Sequence, residues 1–95
     1  MRLDAAELMI RKASWLLDHG EPCGVEANMA KWLAADAAFQ AADQAVQTHG
    51  GFGYAREFHV ERYWREARLM RIAPISQEMI LNYVTEHVLE LPRSY

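Results

Sequence analysis

The sequence has one cysteine, few helix-breaking residues and no long apolar run, and each absence excludes a class of protein. The lone Cys23 excludes an internal disulfide and fits a reducing cytoplasm. The first ten residues carry Asp4 and Glu7, so they indicate neither a signal peptide nor a membrane span. We therefore expect a cytoplasmic chain without a membrane segment.

A strong charge of one sign is also missing. Ten basic and thirteen acidic residues give a net charge of −3, too mild to indicate nucleic acid or an anionic membrane as the main partner. Residues 56–71 hold five arginines and three glutamates, a local +2 that leaves −5 for the remainder. Four of these arginines recur every three residues and so sweep around a helix rather than lining one groove. We expect them to form salt bridges with neighbouring helices or a second subunit. Glu61–Arg65 and Arg62–Glu66 are predicted as pairs within the helix.

Alternation of apolar and polar residues, the signal of a half-buried strand, is absent, and helical periodicity replaces it. The apolar spacing and the positions of glycine and proline predict four helices, over 3–19, 25–49, about 58–72 and 76–89. We predict inward faces formed by Val60, Tyr63, Trp64, Ala67 and Met70 in the third helix and by Met79, Ile80, Tyr83, Val84 and Val88 in the fourth. Short connections favour antiparallel neighbours, so the prediction is an all-α, four-helix-bundle type of fold forming a single domain over residues 1–95.

A chain of this length buries only about 60–70% of its unfolded surface. Apolar residues nevertheless make up 52% of it, with three Trp, four Tyr and five Met. We expect the surplus to face a partner, in a dimer or higher oligomer that buries Trp15, Trp32, Phe39 or Tyr83.

Residue patterns for self-contained chemistry are missing as well. The histidines His19, His49, His59 and His87 stand in separate segments without a second cysteine, so no metal site is predicted. Neither Cys23 nor the serines Ser14 and Ser76 have a base beside them in the sequence. The glutamates of residues 57–66 are matched by arginines at helical spacing, so we expect them to be poor general bases.

Glycine is concentrated in one place, "QTHGGFGY", over residues 47–54. A phosphate loop follows a strand and opens a helix, whereas these glycines follow a helix, whose carboxyl end repels anions. A left-handed glycine cap and the tight turn that follows it explain why the second helix ends here. They do not explain why Gln47 and two further glycines accompany the cap.

The longer stretch "AVQTHGGFGYAREFHVERYWREAR" resembles the C-terminal signature of the FAD-dependent acyl-CoA dehydrogenase family, and the resemblance covers essentially the whole chain. The positions in register are Gln47, Gly50, Gly51, Gly53, Tyr54, Glu61, Arg62, Arg65, Ala67 and Arg68, with Glu66 in place of the usual Asp. The resemblance implies an oligomeric enzyme with a helical, a β and a C-terminal four-helix domain. This chain looks like most of that last bundle, without its first long helix.

The family likeness also implies roles for particular residues. Gln47, Thr48, His49, Gly50 and Gly51 would lie against the adenosine-diphosphate part of FAD held by a neighbouring subunit, with the positive charge for pyrophosphate coming from another chain. Ser76, Gln77 and Glu78 would contact the flavin. In many members a catalytic Glu precedes those contacts, but Pro74 occupies its position and Ile75 that of the following glycine. Glu78 is four residues too late to be the base, so no catalytic residue is assigned; some members carry the Glu on the bundle's first helix.

The leading hypothesis is a C-terminal portion of an acyl-CoA dehydrogenase that supplies subunit contacts and part of the FAD site and is inactive alone. Acyl-CoA and an electron acceptor would be the implied partners. The alternative is a stand-alone helical interaction or scaffold module derived from the family, without flavin or catalysis.

Overall fold

The computed structural model describes residues 1–93, which form four α-helices and no strand. The helices are α1 (Arg2–Asp18), α2 (Gly24–His49), α3 (Val60–Leu69) and α4 (Gln77–His87). Two 3-10 segments, Gly50–Tyr54 and Arg56–Phe58, connect α2 to α3. The prediction of an all-α fold with four helices is confirmed.

Helix α2 is the central helix of the fold. Helices α1, α3 and α4 each pack on α2, and within residues 1–93 they make no close backbone contact with one another. Nine alanines favour a long α2, because alanine has the highest helix propensity. Their small side chains also let the neighbouring helices approach α2 closely. The buried apolar residues are mostly these small ones: Ala6, Ala30, Ala35, Ala37, Ala42 and Ile80.

Two helices are shorter than their periodicity predicts. Helix α3 ends at Leu69 rather than near Ile72, and the Leu69 carbonyl accepts hydrogen bonds from both Ile72 N–H and Ala73 N–H at 2.9 Å. These bonds close a turn ahead of Pro74, which cannot continue a helix. Helix α4 ends at His87 rather than Leu89, and the last periodic residues lie in a turn.

The predicted inward faces of α3 and α4 are partly wrong. Tyr63 of α3 and Met79 of α4 are exposed. Met70 and Val88, which follow the ends of these two helices, are exposed as well. Among the described helices, each of these two packs on α2 alone, and α3 also contacts the two 3-10 segments. A narrow stripe of each helix is therefore covered and the residues beside it are not. The intrahelical pairs Glu61–Arg65 and Arg62–Glu66 are also not formed among the described residues, where Arg62 lies over the ring of Tyr63 instead.

The surplus of large apolar residues lies on the surface. An entirely apolar groove of about 280 Å³ runs between α1, α2 and α4. Its lining residues are Met9, Met29, Trp32, Leu33, Ile80, Leu81 and Val84. Trp15 is 56% exposed on α1. No helix within residues 1–93 is both long and apolar enough to cross a membrane.

Candidate functional site

The carboxyl end of α2 carries the first stretch that the sequence singles out, residues 47–51, and all five residues are exposed. The Thr48 hydroxyl donates to the Gln44 carbonyl, and His49 Nδ1 lies 2.8 Å from the Ala45 oxygen. A carbonyl oxygen only accepts, so Nδ1 carries the proton and Nε2 of a neutral His49 ring is left as an acceptor. This end of the helix therefore presents mainly acceptors, which suit hydroxyl and amino groups and repel phosphate.

The three glycines of the turn have three different structural roles. Gly50 has φ 57° and ψ −135°, which is a positive-φ conformation but not the left-handed helical cap that the sequence predicts. A Cβ on Gly53 would lie 2.4 Å from the Val46 carbonyl oxygen, so this glycine is needed for the turn to fold back on α2. A Cβ on Gly51 would meet no described atom within 4 Å. The backbone at Gly51 is therefore open to a close approach from outside.

A groove of about 560 Å³, which no sequence pattern predicts, lies beside this turn between α2 and α3. Its lining residues are Asp43, Val46, Gly53, Tyr54, Arg56, Glu61, Trp64 and Arg65. Two arginines face two carboxylates there, so the groove has no net charge. Trp64 Nε1 donates a hydrogen bond to Asp43 Oδ1 at 2.8 Å and so links α3 to α2 beside the groove.

The second predicted stretch, Ser76 to Glu78, begins α4. The Ser76 hydroxyl accepts a hydrogen bond from Met79 N–H at 3.3 Å and thereby caps the helix. Gln77 is buried, and its Oε1 accepts a hydrogen bond from Arg71 Nε at 2.5 Å. Glu78 is exposed.

The two stretches lie far apart within the chain. Arg71 contacts both Gln77 and Asp36, so the start of α4 lies beside Asp36 of α2. Asp36 precedes His49 by thirteen residues on that helix. With a rise of about 1.5 Å per residue, the two stretches are separated by about 20 Å along the helix. The chain therefore offers two separate surfaces rather than one pocket.

Comparison with known proteins decides the family. The family model described as "Acyl-CoA dehydrogenase, C-terminal domain" matches residues 1–89. The chain belongs to the acyl-CoA dehydrogenase family. It is 50% identical over 97 aligned positions to acyl-CoA dehydrogenase FadE12 of Mycobacterium tuberculosis, covering 100% of this chain and 25% of that protein. It is 46% identical to the probable acyl-CoA dehydrogenase YngJ of Bacillus subtilis over 79 positions, covering 83% of this chain and 21% of that protein.

Solved structures of the acyl-CoA dehydrogenase family have the same helical arrangement. Butyryl-CoA dehydrogenase from Megasphaera elsdenii superposes with a TM-score of 0.87 at 35% identity, covering 96% of this chain and 24% of that one. A chain from a study of the electron transferring flavoprotein of Acidaminococcus fermentans gives a TM-score of 0.89 at 30% identity, covering 95% and 24%. The chain spans about a quarter of the length of the relatives it matches.

Proposed function

We propose that this chain acts as the C-terminal helical part of an FAD-dependent acyl-CoA dehydrogenase, where it supplies subunit contacts and part of the FAD site and is inactive alone. The main support is the open backbone at Gly51, four residues after an exposed Gln47. The other two glycines of the turn are required by its own conformation, Gly50 by its positive φ and Gly53 by the nearby Val46 carbonyl. Acyl-CoA as substrate, an electron-transferring acceptor and a cytoplasmic location belong to the same proposal.

The carboxyl end of α2 fits the adenosine-diphosphate part of FAD from a neighbouring subunit. The hydroxyl and amino groups of that part of FAD would donate to the acceptors at the helix end. The Gln47 amide offers a donor and an acceptor, and His49 Nε2 offers an acceptor. Phosphate does not fit beside the exposed carbonyls of a helix end, so the pyrophosphate would be held by groups outside this chain. Glycine at position 51 lets the ligand approach the backbone.

The start of α4 fits the role of a flavin contact, with the Ser76–Glu78 segment held in a capped first turn. When bound, FAD would supply the acceptor for the β-hydrogen of the acyl thioester as hydride, and a base would be needed for the α-proton. This chain places Pro74 where many members have that base, and Glu78 is exposed four residues later. We therefore propose that the base lies outside this chain.

A chimera of the mycobacterial relative, with its matching quarter replaced by this chain, tests the proposal. We expect the purified chimera to hold FAD and to reduce an electron acceptor with an acyl-CoA. Gly51→Leu should weaken FAD binding at least about tenfold, equivalent to about 1.4 kcal/mol, because the side chain would occupy the ligand's place.

The matched control is Ala41→Leu, which enlarges another exposed residue of α2 away from the glycine turn. It should leave FAD binding unchanged. A chimera that neither holds FAD nor reduces an acceptor with any acyl-CoA would contradict the enzyme assignment and support a helical interaction module without flavin. Equal FAD binding by Gly51→Leu and the parent chimera would remove the glycine turn from the site.

A further inference from the structure

Arg71 connects three parts of the fold through one partly buried side chain. Its Nε donates to Gln77 Oε1 at 2.5 Å, and its carbonyl accepts from Gln77 N–H at 3.2 Å. Its Nη2 lies 3.9 Å from Asp36 Oδ1, and its guanidinium carbon lies 5.1 Å from the ring centre of Phe39. The turn after α3, the first residue of α4 and the middle of α2 are therefore held by one residue.

These contacts depend on the shape of the arginine fork. Its Nε and Nη groups are fixed in one plane, so the side chain can face Gln77 and Asp36 together while its flat face covers Phe39. A lysine has a single ammonium at the end of a flexible chain and cannot reproduce this arrangement. Asp36 supplies the negative charge that the partly buried guanidinium needs.

The same contact fixes which way the Gln77 amide points. Gln77 is 7% exposed, so its amide is held by the protein rather than by solvent. The guanidinium only donates, so the amide oxygen must face Arg71 and the NH₂ group must face away. That Nε2 is buried and has no hydrogen-bond partner among the described residues. Arg71 therefore determines the orientation of a donor at the start of α4.

We propose that Arg71 is a positioning residue, which fixes the first turn of α4 and the Gln77 amide so that Ser76–Glu78 present one arrangement to the flavin. This proposal rests on the proposed function for the flavin contact. The hydrogen-bond and ion-pair network itself is independent of any ligand.

The experiment compares Arg71→Met and Arg71→Lys with Arg68→Met in the chimera described above. Arg68 is a matched control because its guanidinium also lies over Phe39, at 5.7 Å, while it makes no described side-chain contact with α4. Both Arg71 variants should weaken FAD binding by at least about tenfold, because the Gln77 amide and the first turn of α4 lose the hydrogen bond that fixes them. The visible absorption bands of the remaining bound flavin should also shift. Arg68→Met should change neither property.

Hydrogen exchange of the 73–80 segment, measured by mass spectrometry, tests the network without FAD. We expect faster exchange in both Arg71 variants and parent-like exchange in Arg68→Met. Faster exchange with an unchanged flavin spectrum and affinity would overturn the positioning role and leave Arg71 purely structural. Unchanged exchange would overturn the network. A parent chimera without FAD would instead overturn the proposed function, and the flavin role of Arg71 with it.

Discussion

At the scale of the residue, Gly53 shows how one absent side chain sets the shape of the whole turn. The chain after α2 folds back so closely that the Val46 carbonyl occupies the place of a Cβ. The obstacle is backbone, which cannot move aside as the end of a flexible side chain does. The glycine turn is thus built on Gly53 and presents Gly51 outward.

Replacing Gly53 by alanine should therefore lower the free energy of unfolding by about 1–3 kcal/mol, as expected for overpacking. Gly51→Ala is the matched control, because its Cβ would meet no described atom and its φ lies outside the left-handed region. It should change the free energy of unfolding by no more than about 1 kcal/mol. Urea denaturation of the two variants measures both values, and equal destabilisation would contradict the packing role of Gly53.

The sequence predicts that these glycines form a turn, but it does not predict the structural role of each one. The pattern "GGFG" and the helix before it predict a stop and a tight turn, which the structure contains. Whether a glycine is required by the fold or is open to a ligand depends on the atoms around it. For Gly53 the deciding atom is the carbonyl of Val46, seven residues earlier, and no local pattern encodes that contact.

At the scale of the element, the ion pair between Lys12 of α1 and Glu26 of α2 links the first two helices. Lys12 Nζ lies 2.9 Å from Glu26 Oε1, and the Glu26 side chain is 17% exposed. The hydrogen bond from Lys12 is the main reason that the pKa of Glu26 lies below its ordinary value, with a backbone hydrogen bond adding to the effect. The carboxylate form is therefore favoured in the folded chain.

The sign of the pH dependence follows from this lowered pKa. Glu26 contributes stability above its ordinary pKa of about 4.3, and that contribution is lost as the pH falls through the lowered value. Lys12→Met should raise the pKa of Glu26 and reduce stability at neutral pH, and its difference from the parent should shrink in acid. Arg11→Met, which breaks an exposed pair within α1, is the control and should leave the pKa of Glu26 unchanged. Urea unfolding across pH and an NMR titration of the Glu26 carboxyl carbon check both statements.

Helix positions were predictable at this scale, while helix faces were less so. Apolar spacing, Gly20 and Pro22 after α1, and Pro74 before α4 locate all four helices to within a few residues. The exposed faces of Tyr63, Met70 and Met79 were not predictable, because burial depends on how many neighbours a helix has. A full bundle covers a wide stripe of each helix, whereas α2 is the one helix on which α3 and α4 pack within residues 1–93.

At the scale of the whole molecule, the apolar groove between α1 and α4 and the exposed Trp15 extend the prediction of an oligomer. We expect sedimentation at micromolar concentration to show a dimer or a larger species. Trp15→Ser should weaken this association with little effect on the unfolding of the monomer, because Trp15 is already exposed. Tyr63→Ser, at a 58% exposed residue of α3 outside this groove, is the control. A strictly monomeric parent chain would contradict the prediction.

The central position of α2 has a mechanical consequence for the proposed assembly. One end of α2 carries the stretch assigned to a neighbouring subunit's cofactor, and its middle holds the network that orients α4 about 20 Å away. Helices α1, α3 and α4 make no close backbone contact with one another within the described chain. The two surfaces are therefore connected through α2 and through α3, which contacts the glycine turn and leads to Arg71. In such an assembly the continuous helix α2 (Gly24–His49) would lie between two flavins, and a shift of one cofactor would be transmitted to the other through helical backbone.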